Sequence, residues 1–195
     1  GCDYSSVKAA IFAASRGDVV SVQSGRYYEH LKIDKTIELR GVDSGGGIPI
    51  FDAAGSGSPV TLSADGVVVE GLRTLNSGPG SAGILVLSDG CVIRDNDADN
   101  NYVGVHLVGC RNCTLQGNSA SGNLEFGLRL DGCFGNLIFE NEMMNNFLGD
   151  AFDDGALVPE VRRLRRARRG LHRRRRGRPL RPGPRDPRRV EQRPV

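Results

Sequence analysis

The sequence predicts an all-β chain wound as a single-stranded parallel β-helix, a solenoid fronted by one short helix. Three observations carry that prediction. Gly83, Gly104 and Gly127 recur at separations of 21 and 23 residues, and Asn96, Asn118 and Asn141 at 22 and 23. Asn101, Asn123 and Asn146 repeat the same 22 and 23. A period of roughly 20–25 residues marks a solenoid, in which one coil cannot bury its own apolar side and needs a neighbour above and below.

The front element is a helix over about residues 4–15, with Asp3 or Ser5 as N-cap and Val7, Ala10, Ile11 and Ala14 on one face. Gly17 stops it. Its job is to cover the open end of the first coil, whose strand edge would otherwise offer unpaired backbone to another chain. Short β runs follow at Val19–Val22, Leu31–Ile33, Ile37–Leu39, Ile48–Phe51, Val60–Leu62 and Val67–Val69, divided by Gly, Ser and Asp. In the later coils Ile84/Val86, Val105/Leu107 and Leu128/Leu130 point inward. Leu85/His106/Arg129 and Leu87/Val108/Asp131 then point outward, because strand side chains alternate. Ile93, Leu115 and Ile138 are the inward residues of the second run in each coil.

The asparagines become columns when coils stack at about 4.8 Å. A stacked amide passes hydrogen bonds from coil to coil and satisfies the turn backbone. The glycines mark turns that need positive φ or no side chain. A leucine-rich repeat competes, since Cys110-x-x-Cys113-x-Leu115-x-x-Asn118 fits its template with Cys for Leu. The extra β run after each glycine, the missing helical half and the scarcity of Leu favour the β-helix.

Charge divides the chain in two. Residues 1–156 hold 10 Lys and Arg against 20 Asp and Glu, a net of −10. Residues 157–195 hold 16 Arg, no Lys and three acids, a net of +13. The codons GAC-GAC-GGC, for Asp-Asp-Gly, read as Arg-Arg one base out of phase, and Arg without Lys is the mark of GC-rich codons. The expectation is that 156–195 is an Arg-rich, disordered frameshift product replacing the natural C-terminus. A solvated tail and a basic arm binding nucleic acid are the alternatives, though no aromatic is interleaved for base stacking. A solenoid left without its closing coil is expected to self-associate through that end. No apolar run is long enough to span a membrane. Five cysteines leave at least one without an internal partner.

The string at 17–47 resembles the opening of the NosD-like right-handed parallel β-helix proteins. The matching residues are Gly17-Asp18, alternating Val20 and Val22, Ser24-Gly25, Tyr27 or Tyr28 with Glu29, Ile33-Asp34-Lys35 and Ile37-x-Leu39-x-Gly41. The coils from Gly83 to Asn146 are similar to that family's repeats, and Ala151–Gly155 to the segment opening its last coil. The resemblance covers about residues 3–155 and implies a domain at 1–155. The family is also described as periplasmic copper-binding, or as a carbohydrate-binding and sugar-hydrolysis domain. The resemblance implies a protein secreted, periplasmic or displayed on an archaeal or bacterial cell surface. From Ala156 onward the chain departs from the family pattern.

Three sets of residues could carry chemistry. His106 with Cys110 and Cys113 would suit a soft metal such as copper. Against this, Cys113 stacks on Cys91 and Cys133 on Cys110, the positions of small buried residues, and stacking at that spacing also permits disulfides. Among carboxylates, Asp95 and Glu140 share one column and Asp97 and Glu142 the next. Asp131, Asp153 and Asp154 are the acids a polysaccharide hydrolase would draw on, and a lyase would add calcium. Leu85, His106, Arg129 and Asp131 form a candidate ligand face. No G-x-x-x-x-G-K-[ST], H-E-x-x-H or G-x-S-x-G occurs, which removes those NTPase, zincin and α/β-hydrolase signatures. The leading expectation is a non-catalytic envelope protein that binds a surface glycan or acts as a scaffold. The alternatives are a polysaccharide lyase or hydrolase and an accessory protein for copper delivery.

Overall fold

The computed structural model describes residues 3–154 of the 195. The Arg-rich segment, and the frameshift, tail and nucleic-acid expectations attached to it, lie outside the described residues. One helix comes first, α1 (Val7–Ala13). It is shorter than the 4–15 expected, and its N-cap is Ser6 rather than Asp3 or Ser5. The reason is Glu29. Its carboxylate accepts from the Val7 and Lys8 N–H groups at 3.0 Å each and from the Ser6 hydroxyl at 2.9 Å, which fixes the first turn there. At the other end Lys35 Nζ donates to the carbonyls of Phe12 and Ala14 at 3.0 and 2.9 Å. Seven residues would not hold a helix alone. Two clamps from the first coil, with Val7 and Ile11 buried against it, do so.

Fifteen strands follow among the described residues. They are β1 (Val19–Gln23), β2 (Arg26–Tyr27), β3 (Leu31–Ile33), β4 (Glu38–Val42), β5 (Ile50–Asp52), β6 (Val60–Leu62), β7 (Val68–Glu70) and β8 (Arg73–Leu75). Then come β9 (Ala82–Val86), β10 (Val92–Arg94), β11 (Val103–Val108), β12 (Thr114–Gln116), β13 (Phe126–Asp131), β14 (Leu137–Phe139) and β15 (Gly149–Asp153). They stack as three parallel sheets. The first runs β1-β4-β7-β10-β12-β14, the second β3-β6-β9-β11-β13-β15 and the third β2-β5-β8. Single bridges Arg73–Asp97, Asp97–Ser119 and Ser119–Glu142 continue the third face. This is a parallel β-solenoid of about six coils.

The interior is built from columns. Leu39, Val69, Ile93, Leu115 and Ile138 are in register across the first sheet. Leu31, Val60, Ile84, Val105 and Leu128 form a second column, and Ile33, Leu62, Val86, Leu107 and Leu130 a third. All fifteen are buried. Each side chain covers its neighbours above and below, so apolar area leaves water only when coils stack.

The corners need a further solution, because backbone groups such as the Asn96 and Asn118 N–H find a side-chain oxygen there rather than a carbonyl. Asn96, Asn118 and Asn141 are 2–3 % exposed and supply it. Asn96 donates its backbone and side-chain N–H groups to Asn118 Oδ1, both at 3.0 Å, and Asn118 does the same to Asn141 at 2.9 and 2.8 Å. Each side chain also donates back to the preceding coil, to the carbonyls of Val69, Ile93 and Leu115. Asn101, Asn123 and Asn146 repeat the ladder at the next corner. A shorter third one joins Asn136 to the Cys113 N–H and the Cys110 carbonyl.

Gly83, Gly104 and Gly127 prove not to be turn residues. They lie inside β9, β11 and β13, beside the second ladder. A Cβ on Gly104 would come within 2.5 Å of the Gly127 carbonyl oxygen and 2.9 Å of Asn123 Nδ2. Lack of a side chain, not positive φ, is what these positions require. The turns pass instead through left-handed residues such as Asp95, Gly117 and Glu140, at φ 54, 65 and 58°.

Two tests follow from these contacts. Asn118→Ala removes the middle rung and strands the Asn96 N–H groups and the Ile93 carbonyl in the interior. It should cost about 3 kcal/mol or more in urea unfolding, whereas a substitution at an exposed position such as Asp34→Ala should change stability by less than about 0.5 kcal/mol. Partial burial opposes ionisation of Glu29, but the Lys8 and Val7 amides and the Ser6 hydroxyl outweigh it and hold the carboxyl below its ordinary 4.5. Its contribution is therefore present above that value and lost as pH falls through the lowered one. Glu29→Gln should flatten this acid limb in thermal melts taken across the carboxylate range, and an unchanged limb would refute the clamp.

Candidate functional site

The outer face of the second sheet is where the fold gathers unlike, reactive side chains. Register places Lys32, Thr61, Leu85, His106, Arg129 and Phe152 in one outward row across six strands. Val108 and Asp131 are neighbours in the next row, with Leu87 beside them on β9's side. All four proposed ligand-face residues thus share one surface.

Within it the polar groups form one network. His106 Nε2 lies 2.8 Å from Asp131 Oδ2. Arg129 Nε donates to both Asp131 oxygens at 3.1 and 2.9 Å, and its Nη1 lies 3.7 Å from Glu125 Oε2. The Tyr102 hydroxyl donates to Glu125 Oε1 at 2.8 Å. Partial burial opposes ionisation of Asp131, but Arg129 and His106 outweigh it and hold the carboxyl below its ordinary range. Bonding to Glu125 pushes the Tyr102 phenol up. Two rings complete the surface. Phe126 and Phe152 lie 5.2 Å apart between centroids, and the Arg129 guanidinium lies 5.7 Å from the Phe152 centroid. Tyr102, Glu125, Phe126 and Phe152 escaped the sequence reading. Phe152 had a signal, because it stands 23 residues after Arg129, one more period.

The other candidate residues are dispersed. His106 lies on this outer face, whereas Cys110 and Cys113 are fully buried in the core. Cys91 and Cys113 adjoin the registered pair Val92–Thr114, and Cys110 and Cys133 the bridge Arg111–Phe134, so each pair stacks on adjacent coils. The thiols of Cys110 and Cys113 donate to the Val86 and Ser88 carbonyls at 3.1 and 3.5 Å. Contact with Cys113 and burial push the Cys91 and Cys110 thiols up, toward the neutral form. All four are free thiols filling the interior.

The three nominated carboxylates also separate. Asp131 is bound into the network above. Asp153 pairs in register with Leu130 and is exposed on the last strand. Asp154 Oδ2 accepts from the Gly132 N–H at 2.7 Å. Hydrolysis needs two carboxyls facing across one bond, and alternation along β15 sends neighbouring residues to opposite faces. The column of Asp97 and Glu142 exists as expected, with Ser119 between them. Burial and the charge of Asp99 raise the Asp97 pKa, against Arg73, whose Nε lies 3.2 Å from Asp97 Oδ2.

Taken together, the fold and face define a parallel β-helix repeat protein. Residues 46–150, more than half the chain, match the family model described as periplasmic copper-binding protein (NosD). The chain belongs to the NosD family. No curated protein and no solved structure matches it. Among the described residues no helix is long and apolar enough to cross a membrane. The copper of the family description finds no fitting donor set there either. No group of three or more His, Cys, Asp or Glu is arranged to hold an ion, and the thiols are turned to backbone carbonyls.

Asp97 yields a test of opposite sign to Glu29. A raised pKa means the folded state disfavours the ionised form, so stability should rise as pH falls through that pKa. Asp97→Asn should remove this rise and stabilise the protein at pH 7, as read by thermal melting, and a destabilised variant would show that the Arg73 pair dominates.

Proposed function

We propose that this chain is a non-catalytic envelope protein that binds a polysaccharide along the outer face of the second sheet. One observation carries the reading. A row running Leu85, His106, Arg129 and Phe152 crosses four consecutive coils, flanked by Asp131, Tyr102 and Phe126. Aromatic rings present apolar faces to sugar C–H groups, and a fixed carboxylate, imidazole and guanidinium meet hydroxyls. The spacing of the row is set by strand stacking, at about 4.8 Å per coil. It suits an extended polymer better than a compact ligand. The engagement of Asp131 by two partners and the divergence of Asp153 from Asp154 favour binding over hydrolysis. A scaffold role would use the same surface, and the family's periplasmic description supports a location outside the cytoplasm, where such polymers occur.

The test uses the full chain on a broad glycan panel. Arg129→Ala and Phe152→Ala should each weaken binding at least about tenfold, the scale of losing one well-placed contact. Arg94→Ala, on the first sheet, should leave it unchanged. No new reducing or unsaturated ends should appear in the bound polymers. Retention of no glycan, or equal losses from both sheets, would refute the assignment.

A further inference from the structure

The charges on this face are unequal. Across β11, β13 and β15, Arg129 is the sole Lys or Arg. Around it stand Glu125 and Asp131, with Asp154 following Asp153 on the next strand, its carboxylate on the Gly132 N–H. Arg129 is already committed. Its Nε is held by both oxygens of Asp131 and its Nη1 faces Glu125. Its charge is already shared between two carboxylates, and an incoming carboxylate would be one more anion beside Glu125, Asp131 and Asp154. Lys32 offers no relief. It sits at the far end of the row, beyond Thr61 and Leu85, three strands from His106. That is about 14 Å at the spacing of stacked strands, beyond a physiological Debye length of about 8 Å.

The apolar part of the face is well developed. The Phe126 and Phe152 rings adjoin, and Leu87 and Val108 are 48 and 39 % exposed in the neighbouring row. Such a surface rewards ring stacking and hydroxyl contacts and penalises added negative charge.

We propose that this face selects an uncharged polysaccharide, a polymer of neutral sugars lying along the solenoid axis, and rejects polyuronates. The proposal rests on the glycan-binding reading above. From Leu85 to Phe152 the row spans three strand steps, about 14 Å, so affinity grows with chain length beyond one ring. Polyuronates are the substrates that carboxylate-lined β-helices would bring to mind, and here the carboxylates act against them.

The experiment compares the full chain's affinity for neutral gluco- and manno-oligosaccharides of one to six rings, polygalacturonate, alginate and a polymeric amino sugar. Neutral oligomers should bind with affinity rising along the series. The polyuronates should bind at least about tenfold more weakly at low salt, with the gap narrowing at high salt as repulsion is screened. Tighter binding of polyuronate, or binding of the amino sugar alone, would overturn this proposal and leave glycan binding standing. Failure of every class would overturn glycan binding itself.

Discussion

The structure depends on one constraint: a corner that leaves water must find its hydrogen bonds in the next coil. Backbone ladders take care of the flat faces and part of the turns, but the N–H groups of Asn96, Asn118, Asn101 and Asn123 depend on side-chain oxygens. The Asn columns meet that need three times per rung. Asn118 Oδ1 accepts from the backbone and side chain of Asn96, and Asn118 Nδ2 donates to the Ile93 carbonyl. Such a rung works only if the next asparagine stands one coil on, so it fixes coil length. A one-residue slip would leave several buried polar groups unpaired and reverse the faces of the following strand. The period of 22 to 23 residues is thus an electrostatic requirement as much as a steric one.

Once the coil length is fixed, the outer face follows without further design. His106 meets Asp131 because Val108 and Asp131 are registered and the imidazole reaches one row across. Arg129 reaches Phe152 for the same reason, one coil further on. The site therefore inherits its rigidity from the ladders and columns behind it. It sits on strands of long, well-paired sheets rather than on loops, which keeps its side chains in place.

Much of this was legible in the sequence, and the limits have physical causes. The inward columns through Val105 and Leu128, the Asn ladders and the stacked cysteines were readable because burial tolerates few residue types and repeats them. The helix boundary was not, because its caps are Glu29 and Lys35, more than twenty residues away. The role of Gly83, Gly104 and Gly127 was half readable. A glycine required by close approach looks, in sequence, like one required by a turn. Phe152 is harder to read, because it stands past the last column asparagine, Asn146, and shares no residue type with Arg129 one period before it.

Outward columns resist periodicity for a deeper reason. Stacking at about 4.8 Å would place identical charges side by side, so a column of one charge type is unstable. The first sheet answers by alternation. Arg40, Glu70 and Arg94 are in register, with Arg40 Nε 2.5 Å from Glu70 and Arg94 bonded to the same carboxylate. The second sheet answers by variety, with Leu85, His106, Arg129 and Phe152 in succession. The geometry that makes the core repetitive thus makes the surface non-repetitive. A repeat search finds the fold through the first effect and misses the function through the second. In a solenoid the place to look for recognition is the outward row whose residues change most from coil to coil while remaining linked to one another. Here that row is the one whose charges close on Arg129 and leave the rings beside it uncovered.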